Sequence, residues 1–461
     1  MLSVMSAALL AGCNVLPTKP YERPALTMPE TWQQNDVAVQ GAQRPNLIAS
    51  AWWLHFADPQ LVTLIERARH HNHDAVQAKL NLEKALALSG GASAAQWPAP
   101  SLSFTRHLHD SAPGQQGAQS VALAVEQEWD LWGKRAGEKA ASEARGRASA
   151  YQHAHVLQQV TRETAAVYWK LAALDERHGL TSAALHDSRE EGTRAKARYA
   201  AGAVSADVPA QADLEYARVQ SELAAITFER AAARSALAVL LGGAPGTVLA
   251  FVPILPDASR LPAIEVGIPA DVLARRPDLQ ASEWLLRASY ADADVARASL
   301  YPQMTLTGHL GSRSSDLMDF ISRPVSSVVA SLSLPILRWH QLRFGVRIAD
   351  TNQALARNAF VKTFHRALKE VDDGLAQRTQ FQRQYQAGSD ALLAATRIEE
   401  MMAMRYRAGE VDASSWYRQR AARRAAALAQ TSIHYEQLVN AIKLHQALGD
   451  DVVPGQEGAL S

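Results

Sequence analysis

Four segments of the chain alternate apolar and polar residues, as strands do when their two faces meet different surroundings. In the first segment, Leu102 and Phe104 alternate with Ser101, Ser103 and Thr105, and the other three alternate in a similar way. The segments cover residues 101–108, 121–126, 304–310 and 329–334. A period of two predicts β-strands, and a tilted strand needs about 9–11 residues to cross a membrane. The pattern therefore favours two pairs of membrane-spanning strands.

Each pair of strands is preceded by a shorter helical pattern and followed by a very long one. The shorter patterns are the Ala-rich stretches Leu61–Ala95 and Val272–Ser299. The long ones, Lys134–Ala200 and Gln341–Arg407, have 67 residues each and contain no proline. A helix of that length extends about 100 Å, more than three times the hydrocarbon thickness. We therefore expect these helices to project far from any membrane that the strands occupy.

The long helical patterns carry apolar residues three and four positions apart, as at Val361, Phe364 and Leu368. That spacing predicts a coiled-coil-like seam. A return helix is then expected to run to Leu241 in the first half of the chain and to Leu448 in the second.

The chain contains an internal duplication. Arg198–Ala206 recurs as Arg405–Ala413 with six of nine residues identical, a shift of 207 positions. Upstream, Asp74 falls on Asp278 at a shift of 204. Because a repeat decides the architecture, we expect two copies of one unit. The predicted divisions are a first repeat at 51–246, a connector at 247–266, a second repeat at 267–452 and a C-terminal tail at 453–461.

The first residues of the chain predict a lipoprotein signal. The uncharged run Leu2–Gly12 is too short to span a bilayer, and Leu10-Ala11-Gly12-Cys13 is similar to a bacterial lipobox. Residues 1–12 are then the signal peptide, Cys13 carries the lipid, and 13–50 form a lipid-anchored extended segment. No Lys or Arg precedes the apolar run, which indicates either an upstream start or an atypical signal.

Aromatic residues mark the same end of all four predicted strands. Trp97 and Tyr301 precede the first strand of each pair, and Trp129, Trp132 and Trp339 follow the second. Aromatic girdles at one level are typical of a membrane interface. The alternative is that these side chains cover the bases of two hairpins in a soluble helical protein.

Four strands cannot close a membrane barrel, because the smallest such barrels have eight strands and an open edge is not tolerated in lipid. The chain must therefore form an oligomer if the strands cross a membrane. Two copies supply eight strands and three supply twelve, and a wide conduit favours twelve or more.

Charge and motifs exclude several other classes. The 461 residues include 47 basic and 46 acidic side chains, a formal net charge of +1, so the excess of basic residues that nucleic-acid binding requires is missing. The sequence has no phosphate-binding loop, no Gly-x-Ser-x-Gly and no His-Glu-x-x-His, so we expect neither an enzyme nor a cofactor. The histidines at 70, 71 and 73 are expected to be solvated rather than to bind a metal.

Several motifs together resemble one known family. They are Arg275-Arg276-Pro277-Asp278, Glu283 and Tyr301-Pro302 within Gly267–Gly308, Pro20-Tyr21-Glu22-Arg23-Pro24 after the lipobox, and Asp130-Leu131-Trp132-Gly133 after the second strand. Nearly the whole chain is similar to the NodT-type outer-membrane lipoproteins of RND efflux systems, which belong to the TolC-like outer-membrane factors.

The resemblance implies a mainly α protein with membrane β-structure. It implies a homotrimer whose twelve-stranded β-barrel, with four strands per chain, is continuous with a long α-helical barrel in the periplasm. The implied protein is a passive exit duct, lipid-anchored in the outer membrane. It would receive substrates from an inner-membrane RND-type pump through a periplasmic adaptor.

The resemblance also assigns candidate site residues. The turns that contain Gly202, Val204, Gly409 and Val411 would be the periplasmic tips where adaptor hairpins dock. Tyr406, three residues before the second glycine, matches a tyrosine that helps hold such pores closed.

Asp412, Ser415 and Arg418 complete the gate candidates. Because Ser415 and Arg418 replace residues that are commonly acidic in the family, an acidic cation-binding ring is not expected at those two positions. Arg418 with Arg405, Arg407 and Arg420 instead indicates a basic tip, paired with Glu410 and Asp412.

A soluble coiled-coil scaffold is the main alternative to a channel. It explains the long helices but not the lipobox, the paired strands or their aromatic ends. For a channel the substrate stays open, since drugs, solvents, metal ions or secreted peptides could all pass through a duct.

Overall fold

The computed structural model describes residues 20–27, 29, 32, 52–106, 119–247, 251, 253–257, 275–314 and 325–449. The predicted signal peptide, Cys13, most of the segment 13–50, much of the connector 247–266 and the tail 453–461 lie outside the described residues.

The described chain is mainly helical. Its helices are α1 (Pro59–His71), α2 (His73–Ala94), α3 (Lys134–Ala200), α4 (Asp207–Leu240), α5 (Pro277–Ala298), α6 (Trp339–Arg407) and α7 (Ala413–Leu448). Short 3-10 turns cover Trp52–Phe56 and Ile336–Arg338. The two long helices are confirmed, with 67 residues in α3 and 69 in α6. Among the described residues, no helix has the combination of length and apolar character that crossing a bilayer would require.

The prediction of one continuous helix over Leu61–Ala95 was wrong, because Asn72 separates α1 from α2. The backbone of Asn72 is extended, and its side-chain oxygen accepts hydrogen bonds from the amides of Asp74 (2.9 Å) and Ala75 (3.2 Å). Asparagine is a favoured helix N-cap because it satisfies amides that have no partner in the first turn. Asn72 therefore ends one helix and caps the next.

Four strands form one antiparallel sheet in the order β1-β2-β3-β4. They are β1 (Ala99–Arg106), β2 (Gln119–Trp129), β3 (Gln303–Ser314) and β4 (Val325–Ser333). The central pairing joins the two copies, since β2 lies beside β3 from Gln119↔Ser314 to Trp129↔Met304. The strands β1 and β4 are left at the two edges of this sheet.

The register of the sheet collects apolar side chains on one face. Leu102 lies opposite Leu123, which lies opposite Leu310, and Met304 lies opposite Leu332. The other face carries mainly Ser, Thr, Ala and Glu residues, together with His309, Val325 and Val329. The apolar face is exposed in the single chain, with 73% of Leu102 and 63% of Leu332 accessible.

Contacts divide the chain into two units. The first comprises residues 1–27, 79–152 and 278–364. It contains the sheet and a close approach of α3 to α5, where a Cβ added to Gly137 would lie 2.8 Å from Cγ2 of Val295.

The second unit comprises residues 28–78, 153–277 and 365–461. Its largest core joins Trp52, Trp53 and Phe56 to apolar residues of α1, α3, α4 and α7. A smaller cluster places Val371 and Leu375 of α6 against Trp32 and Leu444, and Leu368 of the predicted seam packs against that cluster.

The duplication is visible in equivalent contacts within the second unit. The side-chain amide of Asn72 donates to the carbonyl of Leu240 (3.1 Å) at the end of α4. At the equivalent place in the second copy, the Arg276 guanidinium donates to the carbonyl of Ala447 (3.3 Å) near the end of α7. In the two copies, different side chains thus donate a hydrogen bond to the C-terminal end of the equivalent helix.

Gly242 is the residue that we expect to tolerate substitution least. It has a φ of +76°, and a Cβ added there would collide with the backbone carbonyl of His71. Gly202 has a similar φ of +70°, yet a Cβ added there meets nothing within 4 Å. Gly202→Ala should therefore cost only the left-handed backbone strain, roughly 1–2 kcal/mol, and Gly242→Ala should cost clearly more. Thermal unfolding of the two detergent-extracted variants measures the difference, and equal losses would refute the packing argument.

Candidate functional site

The two predicted tips are tight turns with the same hydrogen bonds. In the first, the amides of Gly202 and Ala203 donate to the carbonyls of Tyr199 and Arg198, both at 2.9 Å. In the second, the amide of Gly409 donates to the carbonyl of Tyr406 (3.0 Å), and that of Glu410 donates to Arg405 (2.9 Å). This pattern is the Schellman motif, in which a glycine at positive φ ends a helix.

Both turns leave open space around their glycines. The φ of Gly409 is +78°, and a Cβ added to it would meet nothing within 4 Å, as at Gly202. Val204 and Val411 follow the glycines and are partly exposed. The turns therefore present small, accessible surfaces at the ends of the long helices.

Three of the four gate candidates make local contacts. Asp412 caps α7 by accepting from the Ser415 amide (3.0 Å) and from the Ser414 hydroxyl (2.6 Å). These hydrogen bonds lower the pKa of Asp412 to about 2, and the one from the Ser414 hydroxyl has the largest effect. The capping carboxylate is therefore ionised near neutral pH. Arg418 donates to the Ser415 hydroxyl (3.1 Å).

The predicted pairing of the basic tip is found at one position. Arg405 pairs with Glu410 at 3.2 Å. Asp412 instead serves the start of α7, because a carboxylate that caps a helix accepts from its first amides.

Tyr406, the fourth gate candidate, belongs to an aromatic stack. Its ring lies parallel to that of Trp416, with centroids 5.2 Å apart and planes inclined by 15°. The guanidinium of Arg420 lies 5.2 Å from the Trp416 ring on the same helix. The indole nitrogen of Trp416 donates to Glu399 of α6 (3.0 Å). Trp416 thus binds α7 to α6 within the second copy.

A second set of contacts joins the two copies near this end. Arg420 of α7 pairs with Asp187 of α3 at 2.8 Å, and Arg194 of α3 donates to the hydroxyl of Tyr417. Arg424 approaches Glu215 of α4 to 3.7 Å. We call these three contacts the α3/α4–α7 ties. Burial raises the pKa of Tyr417.

Sequence reasoning missed Trp416, Tyr417 and Asp187. The adjacent aromatic residues Trp416 and Tyr417 near the start of α7 were a local signal from which the stack of Trp416 on Tyr406 could have been predicted. Asp187 gives no such signal, because its partner Arg420 lies in the other copy of the repeat.

The aromatic residues at the strand ends fall into two groups. Trp97, Trp129 and Trp339 are exposed, and Trp129 is the last residue of β2 rather than a residue beyond it. Trp132 stacks on Tyr301 at 5.0 Å and donates to the carbonyl of Pro302 (2.6 Å). The second group therefore also ties the base of β3 to the start of α3.

The predicted histidine cluster lies at the junction of α1 and α2. His70 and His71 are the last residues of α1, and His73 is the first residue of α2. Within the part of the chain that the structure describes, no group of three or more His, Cys, Asp or Glu side chains is arranged to hold a metal ion.

A comparison with protein families identifies the class of this fold. The model of the outer membrane efflux protein family matches residues 64–243 and again residues 268–450. The chain therefore belongs to the outer membrane efflux protein family, and it is an outer-membrane component of an efflux system.

Relatives and solved structures agree with this assignment. The chain is 30% identical to the toluene efflux pump outer membrane protein TtgF of Pseudomonas putida, over 84% of each chain. It is 28% identical to the pyoverdine export outer membrane protein OpmQ of Pseudomonas aeruginosa, over 85% of this chain and 89% of the relative. The outer membrane channel CmeC of Campylobacter jejuni has the same fold, with a TM-score of 0.83 at 22% identity over 95% of each chain.

Proposed function

We propose that this protein is a passive, trimeric exit duct, anchored in the outer membrane by a lipid on Cys13. It would receive substrates from an inner-membrane RND-type pump through a periplasmic adaptor, with no catalytic step of its own. The observation that carries the proposal is the exposed apolar face of the sheet, on which Leu102, Leu123 and Leu310 lie side by side and Leu332 lies opposite Met304 further along β3.

An apolar sheet face of this kind suits contact with lipid. Water-exposed apolar area costs roughly 25 cal/mol per Å², whereas hydrocarbon accepts it. The opposite face is polar, with residues such as Thr305, Thr307 and Glu126, as the lining of a water-filled barrel requires. Trp97, Trp129 and Trp339 would then lie at the membrane interface, where indole rings are favoured, with Trp132 and Tyr301 beside them.

The open edges of the sheet support assembly. The edge strands β1 and β4 can pair with neighbouring copies, which satisfies their backbone groups in lipid. Three copies give twelve strands and an interior wide enough for a conduit, whereas eight strands leave one that side chains fill. We infer a trimer on that basis.

The domain divisions stay as proposed, with repeats at 51–246 and 267–452. The long helices α3 and α6 each extend about 100 Å, far enough to carry the turns of Gly202 and Gly409 deep into the periplasm. Those turns are exposed and alike, which suits repeated docking of adaptor hairpins.

For closure of the pore we propose the α3/α4–α7 ties together with Tyr406. Opening would move α7 away from α3, and the pair of Arg420 with Asp187 opposes that movement. Trp416 would carry Tyr406 along with α7, because their rings are stacked. Asp412, Ser415 and Arg418 would act by shaping the start of α7.

We propose that this protein passes a broad range of substrates. Relatives export compounds as different as toluene and pyoverdine. A lining of Ser, Thr and Ala offers few specific contacts, so the pump and the adaptor would decide what passes.

The gate is tested by breaking the tie between Arg420 and Asp187. Asp187→Asn should admit a large hydrophilic antibiotic in a strain without the pump, lowering its inhibitory concentration several-fold. The double exchange Asp187→Arg with Arg420→Asp should restore exclusion. Asp213→Asn is the matched control, because its pair with Lys196 joins α3 to α4 within one copy. Equal leakage from Asp187→Asn and Asp213→Asn would contradict the gate.

Lipid anchoring is tested by labelling. Cells that express the wild type should incorporate labelled palmitate into the protein, and cells that express Cys13→Ser should not. Equal incorporation would exclude Cys13 as the lipidated residue.

Adaptor docking is tested at Gly409. Gly409→Arg should abolish most export while trimers still reach the outer membrane, because a long charged side chain would fill the exposed turn. Gly409→Asn is the control, since asparagine tolerates positive φ and is small. Export should survive in the Asn variant, and normal export by Gly409→Arg would refute docking at this turn.

A further inference from the structure

The short segment Pro20-Tyr21-Glu22-Arg23-Pro24 is held against α5 by one buried carboxylate, that of Glu283. Only 7% of the Glu283 side chain is exposed. Its Oε1 accepts from the hydroxyl of Tyr21 (3.2 Å), and its Oε2 pairs with Arg23 (3.2 Å). Arg287, one turn further along α5, also pairs with Glu283 (2.8 Å).

Apolar and aromatic contacts surround this carboxylate. Tyr21 meets the edge of Tyr290 at 5.5 Å, and the Arg287 guanidinium lies 4.9 Å from the Tyr21 ring. Residues 283, 287 and 290 lie on one face of α5, because they are four and three positions apart. Arg23 lies 6.0 Å from the ring of the fully buried Phe360, so the segment contacts α6 as well.

The sequence of the segment suits it to this contact. Proline fixes φ at positions 20 and 24, and Pro24 also restricts Arg23 to extended conformations. In an extended chain, residues two apart point the same way, so Tyr21 and Arg23 face Glu283 while Glu22 is exposed. A segment that is already restricted loses less entropy on docking.

We propose that residues 20–24 are a clasp that docks onto α5 and α6, with Glu283 as its receptor. The clasp fixes the lipid-bearing end of the chain to the helical body. Its value as an anchor rests on the proposed lipidation of Cys13, but the docking does not. Only eight positions separate Cys13 from Tyr21, and they reach at most about 29 Å. The clasp therefore holds the first unit within that distance of the lipid.

Charge explains why Glu283 decides the docking. Two guanidinium groups and one phenol share a single carboxylate. Burial, and to a smaller extent the negative charge of Glu283, raises the pKa of Tyr21 to about 12. Glu283→Gln removes both ion pairs and leaves the partly exposed guanidinium groups of Arg23 and Arg287 close together without a counter-charge, so their repulsion opposes docking. The segment should then leave its site.

A spin label between the two anchoring residues tests the clasp. The substitution Glu22→Cys supplies the thiol for the label. It is introduced into two backgrounds, the wild-type chain and the Cys13→Ser variant, and in the second background the introduced thiol is the sole one. We expect an immobile label in both backgrounds. Glu283→Gln should shift the spectrum to the mobile form in both, while Glu283→Asp should restore part of the immobile signal.

The matched control is Glu143→Gln, which removes a carboxylate from a surface pair with Lys139 in the same unit. It should leave the label immobile. A label that is equally mobile with and without Glu283, or equally immobile in Glu283→Gln, would overturn the clasp. Failure of lipidation would appear instead as missing palmitate in the wild type with an unchanged label signal in Cys13→Ser, so the two failures are distinguishable.

Discussion

The strand edge is the constraint on which the proposed assembly depends. A backbone amide or carbonyl without a partner costs several kcal/mol in hydrocarbon, and a sheet of four strands has two such edges. The face of the sheet is apolar and exposed, so lipid is its fitting environment. Only neighbouring copies can then satisfy β1 and β4. Oligomerisation follows from the geometry of the sheet, not from any particular residue.

The duplication explains how one chain supplies two similar hairpins to this assembly. The central pairing of β2 with β3 joins the copies in the sheet, and the ties between Asp187 and Arg420 join them near the turns. Equivalent helix ends are closed by Asn72 in one copy and Arg276 in the other. The two copies therefore keep the same fold while their side chains differ. The residues of the proposed gate and of the proposed clasp accordingly occur in one copy only.

Most of the fold could be predicted from sequence, because its elements have strong local signals. Long proline-free stretches predicted α3 and α6, and alternation predicted all four strands. The break at Asn72 was missed because its cap depends on a single polar side chain that also reaches Leu240. The Schellman turns were predictable from their glycines. The pairing of Arg420 with Asp187 was not, and neither was that of Glu283 with Tyr21 and Arg23, since these partners are 233 and at least 260 residues away in the chain and only folding brings them together.

Imaging of single detergent-extracted particles, with symmetry left free, tests the central claim most directly. The account predicts a three-fold tube in which twelve strands form a closed barrel above a helical shaft of about 100 Å. A monomeric or two-fold particle, in which β1 and β4 stay unpaired, would contradict it. The sheet would then be a pair of hairpins on a helical protein, and the exit duct would have to be abandoned.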